Sequence, residues 1–463
     1  MEKISVGTAV GDLTPELGVA MGGYGARVGT ANGVAAPLCC RTVVFDDGVA
    51  PVALVVCDLL FVTLDISRRV REGVAATLGW DPSRTMVVGT HTHSGPAALT
   101  DSLNEAYVID VARRIVDSIV EAYTNRKPAR LTVTSASVAS ISQNRRDPDG
   151  PIDETARVLF AQDEETGEVI SSVVNYSCHA TILEADNLAI SPDFPGAMVE
   201  AVQQAVGGRA IYLQGCAGSI NPVWTTHTVS EVRRIGNILG SAVVRAIEEA
   251  KPAGRGQWSV NLSRGEDVVK EVHGGDVISA DPLGAAQVAA ILQLKERSAL
   301  SETQKELDDV NLAIAEGRSD DKGRTKYELT ARRAALQMES VYVRRAYSYD
   351  TRLSVSEVTL SGDESVEVQA LRLGNDVVIV GLPGEPFLGM ADAIREQCGV
   401  RHVLVAGYAN EAIGYVPIES EFPFDGYEVG CARFSPEAAD QLVAAAVLAV
   451  SASDTECGGR LGA

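Results

Sequence analysis

The feature that most constrains this chain is a rhythm repeated through its first 250 residues: a short apolar run, a turn rich in Gly, Ser or His, then a helical pattern. Such alternation marks an α/β sheet. The runs Pro51 to Asp58 (PVALVVCD), Arg84 to Thr90 (RTMVVGT), Val169 to Tyr176 (VISSVVNY) and Arg209 to Leu213 (RAIYL) are β-rich and nearly all apolar, as strands covered on both faces must be. Helical patterns follow at Tyr107 to Tyr123, Pro195 to Val206 and Ser230 to Ala250.

Further along, Pro282 to Arg345 reads as two long amphipathic helices split by the polar turn Gly317 to Gly323, with Leu329, Leu336 and Val343 at heptad spacing on the second. A helical hairpin inserted at 282–346 and packed on the main body is expected. From Leu353 strands return, and Val366 to Leu373 and Val377 to Val380 flank the turn Gly374-Asn375-Asp376 as a β-hairpin. The expected fold is α/β, with mixed sheets flanked by helices and a metal site at the C-terminal ends of strands. One domain spans 1–450, and 451–463 is expected to form a flexible tail.

Charge excludes some functions. A net charge of -22 repels nucleic acid and anionic membrane surfaces alike. No run of 18 apolar residues occurs, and the first residues lack a secretion signal, so a cytoplasmic protein without membrane insertion is expected. The eight cysteines are scattered without a Cys-x-x-Cys pair and read as reduced, buried thiols. A homo-oligomer is compatible with this composition.

The chemistry concentrates in few residues. Two of only six histidines stand in Thr90-His91-Thr92-His93-Ser94-Gly95-Pro96, directly after a strand. On extended backbone His91 and His93 would face the same side. His179 follows another strand and Glu385 a third, in Gly381-Leu382-Pro383-Gly384-Glu385, and strand ends are where α/β sheets collect ligands. Two imidazoles and a carboxylate form a zinc set with room for water, and a tyrosine such as Tyr415 or Tyr427 is a plausible further oxygen donor. Gln214 to Pro222 could present backbone N–H groups to an anion or be a plain tight turn. Cys178, adjacent to His179, reads as packing rather than as its nucleophile.

With these residues in hand, the chain resembles the neutral (non-lysosomal) ceramidases, zinc amidases that cleave an N-acyl bond, from about Val6 to Arg433. The family's Thr-His-Thr-His-Ser-Gly-Pro stands unchanged at Thr90 to Pro96. The resemblance implies His91, His179, Glu385 and Tyr415 as zinc ligands, and His93 and Tyr427 as active-site residues. The family's two tyrosines stand twelve residues apart, as do Tyr415 and Tyr427. Its substrate-site arginine falls on Arg145, with Arg146 the alternative. Departures lie at Gly218-Ser219-Ile220-Asn221-Pro222 and at Ala97-Ala98, where the family has Gly-Asp-x-Ser-Pro-Asn and Gly-Gly.

The expectation is therefore a zinc-dependent hydrolase of an amide or ester bond in a small soluble substrate. His93 is expected to protonate the leaving group, Tyr427 to stabilise the oxyanion, Arg145 to hold the substrate, and Glu385 to ligate, with the general base, Glu385 or another group, left open. The alternatives are an ester or lactone hydrolase of a polar metabolite, a cysteine hydrolase using Cys216 or Cys178, and a ligand-binding relative without turnover.

Overall fold

The computed structural model describes residues 4–97, 105–251, 269–278, 282–295, 300–317, 329–330, 332–333, 335–337, 362–424 and 426–458. Its centre is a nine-stranded mixed sheet among these residues. The sheet holds β1 (Ser5–Asp12), β2 (Cys39–Asp46), β3 (Val52–Cys57), β4 (Thr85–Gly89), β5 (Lys127–Val138), β6 (Thr155–Asp163), β7 (Val169–Tyr176), β8 (Arg209–Gln214) and β9 (Val269–Ile278). The order is β8-β7-β6-β5-β1-β2-β3-β4, with β9 also paired to β5. A second sheet, β10-β11-β12-β14, is built from β10 (Leu283–Gln293), β11 (Asp363–Leu373), β12 (Val377–Gly381) and β14 (His402–Ala406). Between them in sequence, the two-residue β13 (Glu385–Pro386) pairs in parallel with β15 (Tyr415–Val416).

The apolar runs predicted as strands are strands, and each is covered twice by the rule that alternate residues face opposite sides. Leu54, Val56, Met86 and Val88 pack with Leu371, Val377, Ile379 and Leu404 of the second sheet. Ala53, Val55, Cys57 and Val87 face the other way, onto α1 (Leu64–Leu78) and α2 (Glu105–Thr124). Helices α3 (Asp193–Val206) and α4 (Val229–Ala250) cover the other half of that face. The outer face of the second sheet carries Val378, Val380, Val403 and Val405 beneath α6 (Leu388–Gln397) and α8 (Ala438–Gly458). The architecture is thus four layers, helices–sheet–sheet–helices, an arrangement in which each buried strand needs apolar side chains on both faces.

Two expectations are corrected. Leu283–Gln293, expected to be helical, is a strand paired with β11 over its full length. Its alanines satisfy a helical and an alternating pattern equally, and alternation wins: Leu283 and Ala285 enter the core between the sheets, Ala290 and Leu292 the core beneath α8. Helix α5 (Leu300–Glu316) does form, and Val310 and Ala313 pack on Leu329 and Leu336 from helical residues beyond it. Val343 and most of the polar turn lie outside the described residues. The expected loose tail from Ser451 instead continues α8 to Gly458, with Ser453 fully buried and its hydroxyl donating to Val450 O at 2.7 Å.

Candidate metal centre and active site

The strands deliver the histidines to one point. His91 follows β4 directly, and its backbone is not extended as the sequence suggested but left-handed, at φ 62°. That turn brings the His91 and His93 rings together, with their Nε2 atoms 3.1 Å apart. A left-handed non-glycine residue is uncommon and persists where surroundings enforce it. His91 N donates to Leu59 O and its Nδ1 to Leu60 O at 2.8 Å, while Phe61 and Tyr408 pack on the ring, Tyr408 stacked at 4.2 Å.

His179 follows β7, and its Nδ1 donates to Ala217 O at 2.6 Å. A carbonyl only accepts, so the proton of each of these imidazoles sits on Nδ1 and the lone pair of Nε2 faces inward. Glu385 enters from β13. Its Oε2 lies 3.2 Å from Nε2 of His91 and 3.3 Å from Nε2 of His179. Among the described residues neither Glu385 Oε2 nor His179 Nε2 has a hydrogen-bond partner, although both residues are buried.

Three inward-facing electron pairs in a dry site repel one another unless a cation lies between them. Ligand atoms about 2.1 Å from a tetrahedrally held zinc stand about 3.4 Å from each other, close to the spacings found here. The donor set therefore fits a divalent metal. His93 is a further candidate: ring nitrogens of His91, His93 and His179 lie within 4.8 Å of one another. Burial, followed by the charge of Arg145, lowers His179 to about 4, and burial with His91 and His179 holds His93 well below its ordinary value. Both are then neutral, the form that binds a metal.

Tyr415 is the register partner of Glu385. Its ring lies 5.6 Å from that of Tyr427, at the start of the short helix α7 (Tyr427–Cys431), and the guanidinium of Arg145 sits 5.2 Å from its centroid. The structure thus separates the two arginines. Arg145 Nε is 2.8 Å from Glu428 Oε1, its Nη2 donates to Gly218 O, and it faces the tyrosines. Arg146 is spent on Glu421 and Glu428, at 2.8 and 2.9 Å.

Backbone carbonyls and glycines complete the site. The Gln214 to Pro222 turn serves through carbonyls rather than N–H groups: Ala217 O and Ile220 O hold His179, and Gly218 O holds Arg145. A Cβ at Gly218 would stand 2.6 Å from Glu385 O, so glycine is needed for the approach. Gly23, at φ +95°, likewise gives its side-chain space to the His93 ring. Gln214 ties the two histidine segments by donating to Thr90 O and Cys178 O. The cysteine alternative loses ground, since Cys178 and Cys216 are buried and burial pushes the Cys216 thiol up to about 12 and that of Cys178 well above its usual value.

This combination of a layered α/β body and a His/Glu/Tyr centre can be set against known proteins. Residues 4–214 match the family model described as neutral/alkaline non-lysosomal ceramidase, N-terminal. Over these residues, fewer than half of the chain, it is similar to the N-terminal part of the neutral/alkaline non-lysosomal ceramidases. The neutral ceramidase of Pseudomonas aeruginosa superposes with a TM-score of 0.70 at 20% identity, covering 99% of this chain and 75% of that one. A ceramidase solved in complex with C2 gives 0.73 at 19% identity, covering 98% and 76%. Identities this low establish the fold alone. No curated protein matches the chain by sequence.

Proposed function

We propose that this chain is a zinc-dependent hydrolase that cleaves an amide (N-acyl) or ester bond of a small, soluble substrate. The observation that carries the reading is the convergence of His91 Nε2, His179 Nε2 and Glu385 Oε2 in a buried site, with Glu385 Oε2 3.2 and 3.3 Å from the two nitrogens. When bound, zinc lowers the pKa of a coordinated water toward about 7 and polarises the scissile carbonyl. The kinship with ceramidases supports the N-acyl bond as the first candidate, with an ester or lactone second.

The chain's own residues would divide the remaining work. His91, His179, Glu385 and Tyr415 hold the ion, and the two carbonyl-fixed imidazoles keep their lone pairs aimed at it. The Tyr427 hydroxyl donates to the oxyanion that develops on the carbonyl oxygen. His93, neutral and beside the site, passes a proton to the leaving amine or alkoxide. Arg145, held by Glu428 and Gly218 O, presents a fixed charge to a polar or anionic part of the substrate. The burial of His91, His179 and Glu385 excludes bulk water and strengthens each of these interactions.

The strong negative balance supports a water-soluble substrate and a cytoplasmic setting. Among the described residues, no helix is long and apolar enough to cross a membrane. Hydrolysis assays across N-acyl amides, esters and lactones, with and without chelator, test the reading. Turnover abolished by chelator and restored by zinc is expected; turnover indifferent to chelator but stopped by thiol alkylation would overturn it.

A further inference from the structure

A second concave site lies at the seam of the two sheets, far along β14 from the residues described above. A cavity of ≈ 350 Å³ is lined by Arg157 on β6, His273 and Asp276 on β9, Arg395 in the last turn of α6, and Arg401 and His402 at the entry to β14. Three arginines and two histidines line it beside one lining carboxylate, Asp276, with His273 Nε2 3.1 Å from Glu271.

The guanidinium groups are only partly engaged. Arg157 Nη1 and Arg395 Nη1 both approach the same oxygen, Asp153 Oδ2, at 2.6 and 3.4 Å, and Arg395 Nη1 also reaches Asp392 at 3.1 Å. Arg401 Nη2 meets Asp276 at 2.8 Å, and His402 Nε2 shares that carboxylate at 3.2 Å. Arg395 Nε is buried and has no hydrogen-bond partner among the described residues. Burial, with the neighbouring charge of Arg157, makes the protonated form of Arg395 harder to hold, lowering its pKa from the ordinary arginine value. A planar guanidinium left with open N–H groups beside like charges is matched by an oxyanion with several acceptor oxygens.

We infer that this cavity binds a small phosphate-class oxyanion, either inorganic phosphate or the phosphate of a compact phosphomonoester, which the volume admits. The site joins the strands of both sheets to the α6–β14 connection. Beyond β14 the chain runs on to Tyr408 and Tyr415, so a ligand here steadies a segment that serves the metal centre without touching it.

Calorimetric titration of the zinc-loaded protein with inorganic phosphate and with glycerol 3-phosphate, at matched ionic strength, tests the inference. Saturable binding of either at one site per chain is expected, the tighter of the two identifying the source. Arg401→Met and Arg395→Met should each weaken it at least tenfold, while Glu385→Gln at the metal centre leaves it unchanged. Arg401 is largely exposed, so its variant keeps the test intact if the Arg395 variant fails to fold. No saturable binding of either compound, binding that survives both arginine changes, or binding lost in Glu385→Gln would overturn it.

Discussion

Glu385 and Tyr415 are direct register partners in a two-residue parallel ladder, so one backbone pairing sets the carboxylate and the phenol side by side. The pairing fixes one by the other: Glu385 N donates to Gly414 O at 2.9 Å, the carbonyl just before Tyr415. Tyr427 has no such rung. It stands at the start of α7 and meets Tyr415 ring to ring.

That difference sets the first prediction. Tyr427→Phe should retain the metal and lose about 100- to 1000-fold in kcat, the usual cost of one oxyanion donor. Tyr415→Phe should also weaken zinc retention. Metal content and steady-state rates measured on both variants check this, and an unchanged kcat in Tyr427→Phe would remove that hydroxyl from the reaction.

The two neighbouring arginines should separate kinetically. Arg145→Met should raise KM at least tenfold, because its charge faces the site beside Tyr415. Arg146→Met should act on stability, lowering it by about 1–3 kcal/mol, since it loses pairs with Glu421 and Glu428 and leaves KM nearly as it was. Denaturant melts alongside kinetics distinguish the two; equal KM effects would contradict the placement.

Much of this was legible in the sequence, and the reason is local. His91, His93, His179 and Glu385 each follow a strand whose apolar run announces its own end, so position along the chain predicted position in space. What stayed hidden depends on distant partners. Leu60 O, Ala217 O and Tyr408 act through backbone acceptors or ring stacking, which no residue type betrays. The left-handed turn at His91 is likewise imposed by tertiary contacts. Leu283–Gln293 was misread because alanine-rich segments fit two periods, and only pairing with β11 decides between them.

The loop between β14 and β15 supplies a pH prediction. Burial, then the charge of Glu364, against the opposing Arg433, raises Glu411 to about 7. A carboxyl with a raised folded-state pKa binds more protons folded than unfolded, so its stabilising contribution is full below about 4.5 and fades as pH rises through 7. Wild type should therefore lose on the order of 1–2 kcal/mol relative to Glu411→Gln between pH 5 and pH 7.5, after allowing for partial exposure. Parallel melts at both pH values check it; a constant difference would show that Glu411 does not titrate there.

Substrate preference follows from charge: a net charge of -22 disfavours residence at an anionic lipid surface, where a long-chain N-acyl lipid would be met. Short-chain N-acyl amides or esters should show higher kcat/KM than detergent-dispersed long-chain ceramide. A ceramide that outperforms every short-chain compound tried would reverse the assignment.

Elemental analysis of the purified protein shows whether Oε2 of Glu385 and Nε2 of His91 and His179 surround a metal ion. About one zinc per chain is expected, at least tenfold less retained in Glu385→Gln and in His179→Ala after identical dialysis, with both variants still folded by circular dichroism. Wild-type protein that takes up no transition metal when zinc is supplied, or variants that retain it as firmly as wild type, would contradict it.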